Sequence, residues 1–403
     1  MFSQTHTKSP EDSAVNTCGA IFALVAAALS FADSARAQDA LNVATWGGAY
    51  GRAQEIALFE PFAKETGTVI ATEIYDGNLS KLRGLIEASG TPVDVVDVSA
   101  DTLNTLCKEG LLEKIDAASL SGGAEGGGLE DDFYPGALSD CGVASMAWST
   151  TVAFNRKAFR KGEPKKISAL LDTARFPGKR ALPDKPQRTL ELALLADGVP
   201  PEDLYSVLAT EEGTDRAFAA LDKIKDDVLL WNKAEQPMTW LLEGKAVMVA
   251  GYSGRVFRAA VGDRNIGVLW DGQVYDLDSW AIPSTSENKK EAMRFVRFAT
   301  EPAQLAAQAR LTAYGPMRKS ALPLVGKHPI IGAEMLEFLP TAQANFQKVL
   351  RFDDAWWRQN GSSLSGRFAS WAAEVQAAEA AREAAQKAKE AAEKEKKAPK
   401  AAP

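Results

Sequence analysis

Histidine is nearly absent from this chain: its 403 residues hold only His6 and His328. One histidine beyond the N-terminal segment cannot build a Ser-His-acid set or a histidine-rich metal centre, so catalytic and metal sites of those kinds are not expected. Positive charge is also short. A formal net charge of −7 disfavours nucleic acid as a partner. Nucleotide signatures are missing as well. The turn "GGAYGR" sets Gly47, Gly48 and Gly51 at a spacing that fits neither G-x-G-x-x-G nor a phosphate loop, which needs Lys followed by Ser or Thr. No cofactor is therefore expected.

Residues 1–37 read as a signal peptide. The apolar segment "GAIFALVAAALS" is too short to span a bilayer, and Ala35 and Ala37 supply an A-x-A cleavage site, although Glu11 and Asp12 sit where a basic stretch belongs. Export puts the mature chain in an oxidising compartment. Cys18 leaves with the signal, and Cys107 and Cys141 remain as a pair. A disulfide between them is expected, with two separate buried thiols as the alternative.

The remaining length suits two lobes with a cleft between them, since single cores stop growing near 250 to 300 residues. Short apolar runs alternate with amphipathic helices, the pattern of an α/β sheet. "LNVATW" reads as a strand, "RAQEIALFEPFAKETG" as a helix stopped by Gly67, and "VIATEIY" as a second strand. "VDVVDVS" is a β-branched run of the kind buried on both faces of a parallel sheet, with Ser99 at its carboxyl end. "SGGAEGGGLEDD" (residues 121–132) reads as a surface insertion. Further strands are expected near Asp184, in "KAVMVAGYSGRV" and in "VYDLDSWAIP", with helices over 189–196 and 202–225. The Ala/Glu/Lys-rich segment 372–403 has no large-residue seam and reads as a solvated helix that frays into disorder.

Ligands in open α/β sheets bind beyond the carboxyl ends of strands. Two residue kinds recur there: the aromatics Trp46, Tyr252 and Tyr314, and the carboxylates Asp101, Asp184, Asp276 and Asp278. Taken singly, a strand-end aspartate is more often a helix cap and an aromatic more often core. Together they suit an organic cation, attracted by ring faces and held by carboxylates. The alternative to a phosphate cradle is that the glycine turn presents Trp46 and Tyr50 to another ligand.

"LNVATWGGAYG", "PFAKETG", "LCKEGLLEKID", "WSTTVAFN", "FPGKRAL", "GQVYDLDSWAIP" and "AYGPMRKSA" resemble, in order and spacing, the spermidine/putrescine substrate-binding proteins of ABC transporters. The resemblance implies a type II periplasmic-binding-protein fold. Each lobe would be a mainly parallel sheet flanked by helices, joined to the other by crossover strands. Lobe 1 would comprise residues 38–148 and 279–313, and lobe 2 residues 149–278 and 314–371. It implies a periplasmic, non-enzymatic receptor, expected as a monomer, that hands putrescine or spermidine to a permease in the inner membrane. The family's binding positions fall on Trp46, Ser99, Tyr252, Asp278 and Tyr314. Two departures stand out. Lys185 and Arg188 occupy "PDKPQR" where more carboxylates belong, and Asp276 replaces an aromatic. The first alternative is therefore a zwitterion or carboxylate held by Arg188. The second is a secreted hydrolase working through a pair among Asp184, Asp276 and Asp278.

Overall fold

The computed structural model describes residues 40–88, 93–120, 128–159 and 162–397. The expected signal peptide and residues 121–127 of the glycine-rich insertion lie outside the described residues. Among those described, no helix is long and apolar enough to cross a membrane.

The first strands are β1 (Leu41–Thr45), β2 (Ile70–Ile74) and β3 (Val95–Ser99), followed by the short β4 (Leu138–Ser139) and the 14-residue β5 (Gly142–Asn155). Next come β6 (Arg180–Pro183), β7 (Val228–Trp231), β8 (Met248–Tyr252) and the 16-residue β9 (Ile266–Ala281). The last two are β10 (Gly315–Pro316) and β11 (Val349–Arg351). They form one mixed sheet in the order β2-β1-β3-β9-β5-β8-β6-β7. Strands β1 to β3 run parallel at one end and β6 to β8 run parallel at the other. The antiparallel pair β5 and β9 crosses between them. Parallel strands cannot be joined by hairpins, so helices cover both ends.

Local sequence explains the first crossover. Gly47 and Gly48 take positive φ (72° and 63°), which turns the chain straight from β1 into a helix. A Cβ at Gly47 would meet the Ile74 side chain at 2.7 Å. That helix widens to a π turn over Glu55–Phe59, where the Glu60 N–H bonds the Glu55 carbonyl five residues back. The adjacent Pro61 has no N–H to offer, so the α ladder is interrupted there in any case. Gly67, at φ 78°, ends the helix.

Each end of the sheet has its own core. Phe59, Phe62, Trp280 and Phe295 interlock at one end, with Phe62 and Phe295 edge-to-face at 5.3 Å. Phe154, Phe159, Leu190, Phe218, Phe368 and Trp371 pack at the other. Residues 314–371, expected in lobe 2, divide between the ends. Met317 packs in the first core and Arg318 pairs with Asp132 at 2.7 Å, whereas Phe352 to Trp371 join the second. Proline and glycine in β10 pair with Met146 and Ala147 of β5, which holds that part of the chain at the crossover. The C-terminal helix Asp354–Lys397 buries Ala372 and Val375 beyond the expected start of the tail. Cys107 and Cys141 are disulfide-bonded, with Cα atoms 5.8 Å apart.

Candidate ligand-binding site

The crossover register determines which side chains meet. On β9, Asp276 lies opposite Trp148 of β5, and Asp278 lies opposite both Met146 and Ser99 of β3. The Trp148 indole N–H donates to Asp278 Oδ1 at 3.3 Å. Tyr252, at the end of β8, stands edge-on to Trp148 and to Trp231, with centroids 5.6 Å apart in both pairs. Above the Trp148 ring sits the Arg188 guanidinium, 4.6 Å from its centroid and 4.0 Å from that of Phe352, so the cation is stacked between two rings. Its Nη2 donates to Asp276 Oδ2 at 3.0 Å, while its buried Nη1 has no partner. The backbone of Arg188 is left-handed at φ 71°, an unusual state for a residue with a Cβ.

Beside Arg188 opens a cavity of about 420 Å³, lined by Asp101, Lys185, Gln187, Phe352, Asp354 and Arg358 among others. Asp101 belongs to the helix Ala100–Lys108 that Ser99 caps, and it forms an ion pair with Arg358 of the C-terminal helix. The cavity is therefore bounded from both ends of the sheet.

On the β1–β3 side, Trp46 tilts against Tyr75 at 5.2 Å. Gly77 permits this, because a Cβ there would sit 2.5 Å from the indole. The Trp46 indole N–H is buried without a partner. Tyr50 does not project freely: its hydroxyl donates to Asp97 Oδ2 at 2.8 Å, alongside Gln54 Nε2 at 2.6 Å. The Tyr75 hydroxyl donates to the Asp97 carbonyl at 2.7 Å. Tyr314 bridges the two ends. Its ring meets Tyr50 edge-on at 5.5 Å, and a Cβ on Gly254, in the helix after β8, would lie 2.8 Å from its hydroxyl.

Buried carboxylates concentrate at this point. Burial pushes the Asp278 pKa well up, and the negative charges of Asp97 and Asp276 add to the shift against the Trp148 hydrogen bond. Asp97 is raised by burial despite the donors Tyr50 and Gln54. Asp276 is raised by burial against the nearby Arg188 charge. Asp354 is pushed up to about 7 by burial and then by Asp276. Acid groups held this way favour a ligand cation, since an ammonium replaces the proton they would otherwise keep.

Residues 57–333 match the family described as bacterial extracellular solute-binding proteins. The chain belongs to that family. This solute-binding protein is the substrate-binding receptor of an ABC transporter. It is 37% identical over 346 residues to the gamma-aminobutyric acid-binding protein of Pseudomonas aeruginosa, covering 86% of this chain and 94% of the relative. It is 25% identical over 252 residues to the spermidine/putrescine-binding periplasmic protein of Escherichia coli, covering 61% and 69%. The solved structure of a GABA receptor superposes with a TM-score of 0.66 at 29% identity, over 83% of this chain and 98% of that one.

Of the ten positions singled out in the sequence, the solute-binding protein gathers Trp148's neighbours Arg188, Tyr252, Asp276 and Asp278, with Tyr50 and Tyr314 in contact nearby. Ser99 is spent on its helix cap, through a 3.4 Å contact to the Thr102 N–H. Asp184 turns to the C-terminal helix, where it accepts from Gln376 at 3.1 Å. Sequence reasoning passed over Trp148, Asp97, Phe352 and Asp354. Two signals were available: Asp97 is a carboxylate inside an otherwise apolar strand, and Trp148 lies in the quoted "WSTTVAFN". Phe352 and Asp354 reach the cleft only through β11, which pairs with β9.

Proposed function

We propose that this receptor binds a short zwitterionic ω-amino acid of the γ-aminobutyrate type in the cleft and delivers it from the periplasm to an ABC permease. The observation that carries this reading is Arg188. Its guanidinium is fixed between Trp148 and Phe352, keeps one nitrogen unpartnered, and shares the Trp148 indole with Asp278. A carboxylate would bind Arg188, and an ammonium would lie against Asp278 and Asp97 with Trp46, Tyr252 and Tyr314 around the chain. Positive and negative ends one indole apart suit a ligand with one charge of each sign. A diamine would place one ammonium beside the Arg188 cation, a like-charge contact that costs affinity. Export through residues 1–37 fits the family and is part of the proposal. The P. aeruginosa relative and the GABA receptor structure, both named for γ-aminobutyrate, support the ligand class.

Thermal shift on the mature protein tests this with γ-aminobutyrate, 4-aminobutanamide and putrescine. A ligand at about a thousand times its Kd adds about 4 kcal/mol of stability. γ-Aminobutyrate is expected to raise the melting temperature by several degrees, and Arg188→Ala to abolish the shift. A shift with putrescine that persists in Arg188→Ala would overturn the proposal.

A further inference from the structure

Glu191 is fully buried, and it is not among the residues that line the cavity beside Arg188. It is the only charged residue in the otherwise apolar run "TLELALLA". Its Oε2 accepts the backbone N–H of Arg188 at 2.6 Å. Because Gln187 and Arg188 are non-helical, the regular helix begins at Thr189, and Glu191 sits at its third position. A glutamate there that reaches back to the chain entering the helix is half of a capping box, and that role alone needs no burial. Two further contacts exceed it. Oε1 accepts the Trp357 indole N–H at 2.6 Å and the Tyr205 hydroxyl at 3.2 Å. The same Tyr205 oxygen in turn accepts the Asp353 N–H at 3.0 Å. Both Trp357 and Asp353 belong to the segment that follows Phe352 and carries Asp354 into the cavity wall.

We infer that Glu191 is the positioning residue of the binding site: one carboxylate holds Arg188 in its left-handed turn and ties that turn to the start of the C-terminal helix, so that the guanidinium stays clamped between Trp148 and Phe352. The physical reason is twofold. A left-handed arginine is disfavoured unless its surroundings over-determine it. A long cation aimed at a carboxylate gains specificity only when its rotamers are locked by a second layer of contacts. Burial opposes the charged form of this carboxylate, and its donors offset only part of that cost. Burial raises its pKa, while the Trp357 N–H, the Arg188 charge and the backbone donors work against that rise. The inference rests on Arg188 as the carboxylate anchor, and its test separates the two claims.

The test compares wild type with Glu191→Gln and Tyr205→Phe, the second serving if the first folds poorly. Ligand affinity is measured for γ-aminobutyrate and for 4-aminobutanamide, which lacks the carboxylate. Losing charge-assisted bonds in Glu191→Gln is expected to weaken γ-aminobutyrate by about tenfold or more and to leave the amide within about twofold. Tyr205→Phe is expected to act in the same direction but less. Equal weakening of both ligands would overturn the inference, because a merely structural role cannot distinguish them. The second arm needs no ligand. In the 1H–15N spectrum of the empty protein, Glu191→Gln is expected to move the indole resonances of both Trp357, which it bonds, and Trp148, which it reaches only through Arg188. A moved Trp357 with an unmoved Trp148 would overturn the inference even if neither ligand bound the wild type.

Discussion

A single side chain divides the two ligand readings. Where the polyamine pattern calls for more carboxylates, Arg188 supplies a cation, and Asp276 on β9 becomes its partner rather than a ligand contact. In the proposed reading Asp278 carries the ammonium end. Removing one partner of a desolvated charge pair costs about 2 kcal/mol or more, so Asp278→Asn should weaken γ-aminobutyrate binding at least about 30-fold by calorimetry. The same substitution should act oppositely on the empty protein. Since the folded pKa of Asp278 is raised, the folded state binds more protons than the unfolded one as pH rises from about 4, and stability falls across that window. Asp354 adds a matching loss between about 4 and its folded value of about 7. Asn carries no charge to bury. The melting temperature of empty Asp278→Asn should therefore match wild type near pH 4 and exceed it near pH 8; a lower value at pH 8 would count against the buried carboxylate.

The C-terminal helix shows how an element can be half structural and half free. Its first turns place Asp354, Trp357 and Arg358 at the cavity, and its middle buries Phe368, Trp371, Ala372 and Val375. Further on, Glu379 pairs with Lys179 and Arg382 with Asp226 at the surface. Such pairs contribute about 0–1 kcal/mol each. Deleting residues 376–403 should lower the melting temperature by a few degrees at most and leave ligand affinity unchanged. Trp371→Ala should instead cost about 3–5 kcal/mol in urea unfolding, because it empties packed space. The disulfide acts on a different element pair. It joins the helix Ala100–Lys108 to the entrance of β5 across a sequence separation of 34 residues. Chain entropy alone assigns a loop of that size about 3–4 kcal/mol, the loss expected for Cys107→Ser with Cys141→Ser.

For the molecule as a whole, the proposed cleft lies where β5 and β9 pass from one core to the other, and a ligand bound there would touch both ends of the sheet. Binding should shift the population toward a shut form, visible as a smaller radius of gyration by small-angle scattering. The Arg358–Asp101 ion pair is the one described bridge from the C-terminal helix to the helix after β3. Both side chains remain partly exposed, so Arg358→Ala should weaken binding by no more than about 1 kcal/mol, mainly through faster release. Protonation is coupled to the same event. An ammonium arriving at carboxylates with raised pKa displaces protons, so calorimetric heats near pH 6 should depend on the ionisation enthalpy of the buffer. No buffer dependence would place the ammonium elsewhere.

The sequence by itself determined the α/β class and the first three strands, because the period of apolar residues and the glycine stops at positions such as Gly67 are local signals. It also exposed the candidate strand-end residues and the anomaly of Arg188 among expected carboxylates. Local patterning carries no information about register between strands far apart in the chain. Pairing Trp148 with Asp276, and Ser99 and Met146 with Asp278, required β5 and β3 each to meet β9 across more than a hundred residues. Tertiary packing likewise decided that Arg188 stacks on Trp148 and that Asp184, equally plausible from the sequence, faces the C-terminal helix instead. Burial made the final distinction. A strand-end aspartate accepts from the C-terminal helix at Asp184 and is a buried acid of raised pKa at Asp278, and the difference lies in neighbours that only tertiary packing supplies.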